Sequence, residues 1–215
     1  MTDADGVREA AEQIGKLDAL VANAGIAVAA PLEFLPPDEL TRQLDVNVVG
    51  QVRVLQSLLP ALRRSRGRIV LMGSIGGKSA MPFLGAYAMS KFAMEAMADA
   101  LRLELAPFGV RVALIEPGSI ATPIWSKPQK TADALPPEAQ ELYGARVVQF
   151  RKRAEAAARD AVPPVEVAKA VEHALTAETP KTRYLVGRDA KRRARIELLP
   201  DRLRDKALLR FLFGS

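Results

Sequence analysis

The sequence predicts an α/β fold in which a parallel sheet is flanked by helices. Two observations support this prediction. Short apolar runs alternate along the chain with long segments whose apolar residues recur at the helical period, an order typical of parallel sheets. The run at 17–22 is also continuously apolar apart from Asp18, as expected of a strand that is covered on both faces.

The elements follow one another in a regular order. The first helix can begin at Thr2 or Asp3, whose side chains suit an N-cap, and Gly15 stops it. Gly67 ends the second helix, and Pro107 with Gly109 ends the third. In chain order we expect a helix before Gly15, a strand over 17–22, a helix over 38–62, a strand over 69–72, a helix over 87–106, a strand over 110–115, helices over 138–159 and after Pro164, and a strand over 182–186.

The composition excludes several classes of protein. The chain has 215 residues, of which 49% are hydrophobic and 26% charged, as in one ordinary globular domain. It contains no apolar run long enough to span a membrane, and its acidic opening is unlike a signal peptide, so we expect a cytoplasmic protein. Because there is no cysteine and only one histidine, His173, we expect no metal site.

The net charge of +6 raises the question of nucleic-acid binding. The basic residues are concentrated near the C-terminus, where no nucleic-acid motif and no interleaved stacking aromatics accompany them, so we expect no nucleic-acid partner. Either they form a solvated helix face, or the tail contacts an acidic partner or a membrane surface. They are Arg183, Arg188, Lys191, Arg192, Arg193, Arg195, Arg202, Arg204, Lys206 and Arg210.

A tyrosine and a lysine on one predicted helix are the candidates for chemistry. Tyr87 and Lys91 are one turn apart, so their side chains share a face. Ser74 ends the preceding strand, and Asn47 occupies a helix interior, where asparagine is locally unfavourable. Taken as a pair, Tyr87 and Lys91 fit an ordinary helix surface better than an active site. Together with Ser74 and Asn47 they indicate an active site.

Five motifs in order resemble the short-chain dehydrogenase/reductase family. They are ANAG at 22–25, Asn47, GS at 73–74, YxxxK at 87–91 and EPGxxxT at 116–122. The segments 180–191 and 199–203 resemble the branch that contains retinol, steroid and hydroxybutyrate dehydrogenases. The resemblance implies a Rossmann-like doubly wound sheet. A Ser-His-Asp hydrolase is the rival enzyme class, but the sequence GSIGG at 73–77 is not its G-x-S-x-G motif.

The sequence departs from this family at its beginning. Members start with a strand and a TGxxxGxG turn that holds the cofactor pyrophosphate at a helix N-terminus, and no glycine run here has that pattern. We therefore expect an N-terminally truncated sheet of about four strands in a single partial domain over 1–215, either as an incomplete chain or as a short protein. The strand at 17–22 then becomes an exposed apolar edge. We also expect a substrate loop and helical insertion over 119–164 and a basic tail over 188–215.

The chemistry expected of the site is hydride transfer with NAD or NADP between a secondary alcohol and a ketone. A free tyrosine has a pKa of about 10, so we expect Lys91 to lower the pKa of Tyr87, the general acid/base. Ser74 would stabilise the charge on the substrate oxygen. By resemblance, Asn47 holds a relay water and Lys91 the nicotinamide ribose. The resemblance also assigns cofactor contacts to Asn23, Tyr87, Lys91, Pro117, Gly118, Ile120 and Thr122.

The sequence leaves the ligands and partners partly open. In the family, the residue that distinguishes NAD from NADP lies in the N-terminal segment that this sequence does not resemble. The substrate that we expect is an apolar secondary alcohol or ketone. Phe34, Phe83 and Trp125 either line its pocket or simply pack. The resemblance implies a homodimer or homotetramer. The alternative function is a catalytically silent interaction protein that pairs through the helices at 38–62 and 87–106.

Overall fold

Four parallel strands form the sheet of the computed structural model, which describes residues 2–122, 124 and 135–214. Their order in the sheet is their order in the chain. The strands are β1 (Ala19–Ala22), β2 (Arg68–Met72), β3 (Arg111–Pro117) and β4 (Arg183–Val186). The predicted parallel α/β fold with about four strands is confirmed.

The helices also follow the predicted order. The longest connect the strands, as a parallel sheet requires. They are α1 (Ala4–Glu12), α2 (Pro37–Leu44), α3 (Gly50–Ser65), α4 (Gly85–Leu105), α5 (Pro137–Arg159), α6 (Pro164–Thr176), α7 (Arg188–Ile196) and α8 (Asp201–Phe213). No helix within the described ranges is long and apolar enough to cross a membrane.

Two apolar cores cover the two faces of the sheet, because successive side chains of a strand point to opposite faces. Ile69 and Leu71 of β2 belong to the core completed by α3 and α4. Val70 lies in the other core, beside α6. β2 and β3 are therefore buried on both faces. β1 is an edge strand, and its Val21 is 40% exposed, in agreement with the expected apolar edge.

The first helix begins at the predicted cap. The side chain of Asp3 accepts a hydrogen bond from the Gly6 backbone N–H at 3.0 Å. The helix ends at Glu12, shortly before Gly15, and the backbone N–H of Ile14 donates to the carbonyl of Ala11 at 3.0 Å in the closing turn.

The helix predicted from Asp38 to Leu62 is longer and less regular than the sequence indicates. It runs from Pro37 to Ser65, and a π turn over Asp45–Val49 separates α2 from α3. Such turns insert an extra residue and often occur at functional sites. This one places Asn47 inside the protein.

The basic tail folds as the two helices α7 and α8. Arg188, Arg192 and Arg195 are exposed, as a solvated face requires. Arg193 and Arg204 are only partly exposed. Arg193 Nη2 donates to the carbonyl of Ser79 at 2.5 Å in the loop after β2, and Arg204 pairs with Glu197 and Asp201. The loop predicted over 119–137 is described only at its ends, and Trp125 lies outside the described residues.

Candidate active site

The predicted site residues come from the carboxyl ends of three neighbouring strands. Asn23 follows β1, Ser74 follows β2, and Gly118 follows β3. Because the three strands are parallel, these ends meet at one edge of the sheet, the usual position for ligands in open α/β folds.

Ser74 is held in one orientation by its own turn. Its Oγ accepts a hydrogen bond from the Gly76 N–H at 3.0 Å and thereby caps a short 3-10 turn over Ile75–Gly77. A Cβ at Gly76 would stand 3.1 Å from the ring of Tyr87, so a glycine lets the turn approach that ring closely. The serine is 9% exposed and also hydrogen-bonds the side chain of Tyr87.

α4 brings Lys91 to the same place. Lys91 Nζ lies 5.8 Å from the centre of the Tyr87 ring and donates to the carbonyl of Met72 at 2.7 Å. The lysine is buried, whereas the tyrosine is partly buried. The structure therefore brings Ser74, Tyr87 and Lys91 together.

The expected lowering of the Tyr87 pKa is wrong for the structure described. Burial, the largest effect, raises the pKa of Tyr87 above its usual value, and the hydrogen bond with Ser74 and the charge of Arg193 lower it only in part. Burial also lowers the pKa of Lys91 to about 8, because a low-dielectric environment disfavours its charge. The sequence shows the spacing of the two residues but not the depth at which they lie.

Asn47 braces two segments through its side-chain amide. Its Oδ1 accepts from the Ile26 N–H at 2.8 Å, and its Nδ2 donates to the Ile26 carbonyl at 3.0 Å. The same Nδ2 donates to Ser90 Oγ at 3.1 Å. The structure thus ties the loop after β1 to α4 through Asn47. Its role in holding a relay water stays a prediction.

Two glutamines that the sequence analysis did not identify extend this brace. Gln43 Oε1 accepts from the Val28 N–H at 2.7 Å, and its Nε2 donates to the Ile26 carbonyl at 2.9 Å. Gln51 Nε2 donates to the Ala24 carbonyl at 2.6 Å. We call Gln43, Asn47 and Gln51 the amide ladder. Their four-residue spacing places three amide side chains on one otherwise apolar helix face. This spacing is the feature of the sequence that indicates a shared role.

Ser90 joins the amide ladder to the chemistry. It is fully buried and lies between Tyr87 and Lys91 on α4. Its Oγ donates to the Tyr87 carbonyl at 2.7 Å and receives amide protons from Gln43 and Asn47. The first turns of α4 are therefore fixed relative to the loop after β1.

The remaining predicted cofactor residues line the ends of β1 and β3. Asn23 is exposed at the end of β1, where the amide ladder, rather than Asn23, provides the bracing bonds. Pro117 ends β3, Gly118 donates to the Val186 carbonyl at 2.9 Å, and Ile120 forms a bridge with Val162. Thr122 is exposed. Their contacts with a cofactor stay predictions.

α7 reaches this edge from the C-terminal part of the chain. Asp189 Oδ2 accepts from the Ser119 N–H at 2.6 Å, and a Cβ at Gly118 would collide with the same carboxylate. Four residues later on the same helix, Arg193 contacts the loop after Ser74. In the sequence, Asp189 and Arg193 belong to a charged tail. Their contacts with this edge arise from tertiary packing, which leaves no local pattern in the sequence.

A partly buried ionic network lies one turn beyond Lys91 on α4. Lys78 Nζ is 3.0 Å from Glu116 Oε1 and 3.2 Å from Glu95 Oε2, and Arg183 Nε is 3.0 Å from the same Glu95 oxygen. Burial, aided by Glu95, raises the pKa of Glu116 to about 7. We call Lys78, Glu95, Glu116 and Arg183 the ionic network.

The aromatic residues considered for a substrate pocket pack together beside the start of α4. The ring of Phe83 meets those of Tyr143 and Phe150 of α5 edge to face, with centres 6.3 and 5.7 Å apart. Phe34 meets Tyr143 at 6.0 Å. The structure shows packing among these rings.

Two other features lie apart from the site. A cleft of about 480 Å³ between α1 and α3 contains none of the predicted site residues. His173 Nδ1 lies 2.9 Å from the hydroxyl of Tyr184, and within the part of the chain that the structure describes no cluster of three or more His, Asp or Glu side chains suits a metal ion.

Comparison with known proteins identifies relatives of the chain. The sequence model of the short chain dehydrogenase family matches residues 2–133. The chain is 40% identical over 188 residues to 3-amino-tetrahydro-pyrrolizinone reductase of Xenorhabdus hominickii, an alignment that covers 85% of this chain and 66% of the relative. It is 42% identical over 181 residues to human retinol dehydrogenase 16, covering 80% of this chain and 57% of the relative. The chain thus spans only part of the length of these relatives.

A solved structure shares the fold. A short chain dehydrogenase from Burkholderia cenocepacia in complex with NADP superposes with a TM-score of 0.73 at 27% identity, covering 100% of this chain and 76% of that protein. The four parallel strands and their flanking helices therefore match a Rossmann-like architecture.

Proposed function

Because the chain belongs to the short-chain dehydrogenase family, we propose that it is an NAD(P)-dependent oxidoreductase that interconverts a secondary alcohol and a ketone. The observation that supports this most is the joint position of Ser74, Tyr87 and Lys91 at the carboxyl edge of the sheet. A hydroxyl pair beside a buried ammonium suits proton transfer at an alcohol or carbonyl oxygen.

The described residues fit the nicotinamide end of such a cofactor. An ammonium has three donors, and Lys91 uses one on the Met72 carbonyl, so the others remain for ribose hydroxyls. Asn23, Pro117, Gly118, Ile120 and Thr122 would border the ring and the ribose. When bound, the cofactor supplies the hydride acceptor or donor.

The proton transfer is assigned to Tyr87. In alcohol oxidation its phenolate takes the hydroxyl proton while the substrate carbon gives up a hydride, and in ketone reduction its hydroxyl returns the proton. Ser74 orients this hydroxyl and would bind the substrate oxygen. Asn47 would support a relay water that leads to Lys91.

The hydroxyl of Tyr87 is the proton donor in the reduction of a ketone. Burial raises the pKa of Tyr87 and so keeps this hydroxyl protonated, the state that a general acid needs. The substrate we propose is an apolar ketone, as the sequence indicates.

The first test is a fluorescence titration of the purified chain with NADH and with NADPH. We expect at least one of them to bind, and Lys91→Met to weaken that binding about tenfold or more, because the variant loses donors to the ribose. Lys169→Met on α6, whose ammonium pairs with Glu166 on the surface, is the matched control. Failure of both cofactors to bind at millimolar concentration would exclude the oxidoreductase function for this chain.

We also propose that two copies of the chain pair through α4. An apolar stripe of Met89, Phe92, Ala96, Ala100 and Leu103 runs along its outer face at a spacing of three and four residues. Leu103 is 72% exposed. This stripe also favours the second candidate function, a silent interaction protein, which becomes the better account if neither cofactor binds.

Sedimentation velocity tests the pairing. We expect the wild-type chain to form a homodimer or homotetramer, and Leu103→Lys to dissociate it, because the substitution places a charge in an apolar contact. Leu198→Lys, at an exposed leucine outside the stripe, is the control and should leave the association unchanged. A wild-type chain that sediments as a monomer at high micromolar concentration would contradict the proposal.

A further inference from the structure

One side chain from the C-terminal part of the chain enters the site from a helix to which no role has been assigned. Arg193 of α7 donates from Nη2 to the carbonyl of Ser79 at 2.5 Å, in the loop that also carries Ser74. Ser79 is fully buried, and Arg193 Nε is buried without a hydrogen-bond partner among the described residues. The guanidinium therefore lies inside the protein, unlike that of Arg195 on the same helix.

The charge of Arg193 is not neutralised by a direct ion pair, as no carboxylate of the described residues lies within 4.0 Å of it. Two acids flank it on α7, and both are engaged elsewhere. Asp189 accepts from the Ser119 N–H, and Glu197 pairs with Arg204 at 3.5 Å.

The loop that Arg193 holds packs against Tyr87 of α4, since a Cβ at Gly76 in this loop would stand 3.1 Å from the ring of Tyr87. Arg193 and Tyr87 interact electrostatically, and the positive charge lowers the pKa of Tyr87 while burial raises it. The other charged group beside Tyr87 is Lys91, which is on its own helix and bound to the Met72 carbonyl. Two cations, Lys91 and Arg193, therefore act on Tyr87, and Arg193 was not expected from the sequence.

We propose that Arg193 is a positioning residue for the reaction at Tyr87: it holds the Ser74–Ser79 loop, which packs against the tyrosine, and it places a positive charge beside this loop. The inference rests on the proposed function of Tyr87 as acid/base. It makes α7 part of the active site, with Asp189 holding the end of β3 and Arg193 holding the end of β2. The charge stabilises the phenolate that alcohol oxidation requires.

The test is a pH titration of tyrosine ionisation in the full chain without cofactor. Carbon-13 NMR of tyrosine labelled at the phenolic carbon resolves the chain's three tyrosines, and Tyr87→Phe identifies the signal of Tyr87. We expect Arg193→Gln to raise the Tyr87 midpoint by about 0.5 to 1 pH unit, because glutamine still donates to Ser79 but has no charge. Arg193→Lys keeps the charge and should stay close to wild type.

Arg195→Met is the matched control on the exposed side of α7 and should leave the midpoint unchanged. An unchanged or lowered Tyr87 midpoint in Arg193→Gln would overturn the proposal. If Arg193 only held the loop in place, glutamine could take over its hydrogen bond and the Tyr87 midpoint would not rise. If Arg193→Gln does not fold, Arg193→Lys is the deciding variant. A raised Tyr87 midpoint in this variant would contradict the proposal, because lysine retains the positive charge. The Tyr87 midpoint is measured without cofactor or turnover. It can therefore be interpreted even if the chain proves to have no oxidoreductase activity.

Discussion

The two sides of the active-site edge are held by different chemistry. On the β1 side, the amide ladder of Gln43, Asn47 and Gln51 binds backbone groups of the loop after β1 and the hydroxyl of Ser90. On the β3 and β4 side, the ionic network joins α4 to the strands through carboxylates and cations.

The difference determines how each side responds to its surroundings. Amides carry no charge, so their hydrogen bonds are independent of pH, but each buried partner that loses its bond is costly. A buried carboxylate pair responds to pH, because the two groups cannot both ionise cheaply. The α4 helix is therefore fixed at Ser90 by neutral hydrogen bonds and at Glu95 by ion pairs with Lys78 and Arg183.

The largest expected effect comes from removing the middle of the amide ladder. Asn47→Leu leaves the Ile26 N–H without its partner, while the Ile26 carbonyl keeps the hydrogen bond from Gln43. The variant should lower the free energy of unfolding by about 2 kcal/mol, since a buried polar group without a partner costs about 1 to 3 kcal/mol. The loss should be the same at pH 5 and pH 8. Urea unfolding measures it.

The matched control is Gln56→Leu, an exposed amide on α3. It should change the free energy of unfolding by no more than about 0.5 kcal/mol. If the two variants lost the same stability, the amide ladder would not be the brace described.

A smaller effect is expected from the ionic network, and it depends on pH. The folded-state pKa of Glu116, about 7, lies above its reference value of 4.5, so the folded state binds more protons than the unfolded state between these values. The free energy of unfolding should therefore fall as the pH rises from 4.5 to 7. After allowance for coupling to Glu95 and partial screening, we expect a fall of about 1 kcal/mol.

Glu116→Gln should flatten this slope, because the glutamine does not titrate. Glu104→Gln, at an exposed position on α4, should keep the wild-type slope. Urea unfolding at several pH values checks both variants. A wild-type slope in Glu116→Gln would show that the network does not titrate as the structure indicates.

Local patterns in the sequence were enough to predict the fold and the centre of the site. The strands and helices follow from apolar periodicity and from Gly and Pro breaks, and the structure confirms their order. Tyr87 and Lys91 were predicted from their four-residue spacing, and Ser74 from its position at the end of a strand. The structure brings these three residues together. Asn47 was noticeable because asparagine is unfavourable inside a helix.

The remaining features arise from tertiary packing. Glutamine is an ordinary helix former, so Gln43 and Gln51 are distinguished in the sequence only by their four-residue spacing from Asn47. Nothing in the residues around Asp45 predicts a π turn. Arg193 belongs to a run of exposed basic residues, and only the docking of α7 buries it. The expected lowering of the Tyr87 pKa was wrong because burial depends on the whole fold.

The most direct test of the account is reduction of an apolar ketone by the chain with whichever of NADH or NADPH binds. We expect Tyr87→Phe to lower kcat at least about a hundredfold, the usual contribution of a general acid, with cofactor affinity nearly unchanged. Tyr184→Phe, which removes a hydroxyl near His173, is the control and should keep kcat. Turnover by Tyr87→Phe at the wild-type rate would contradict the assignment of Tyr87 as the proton donor.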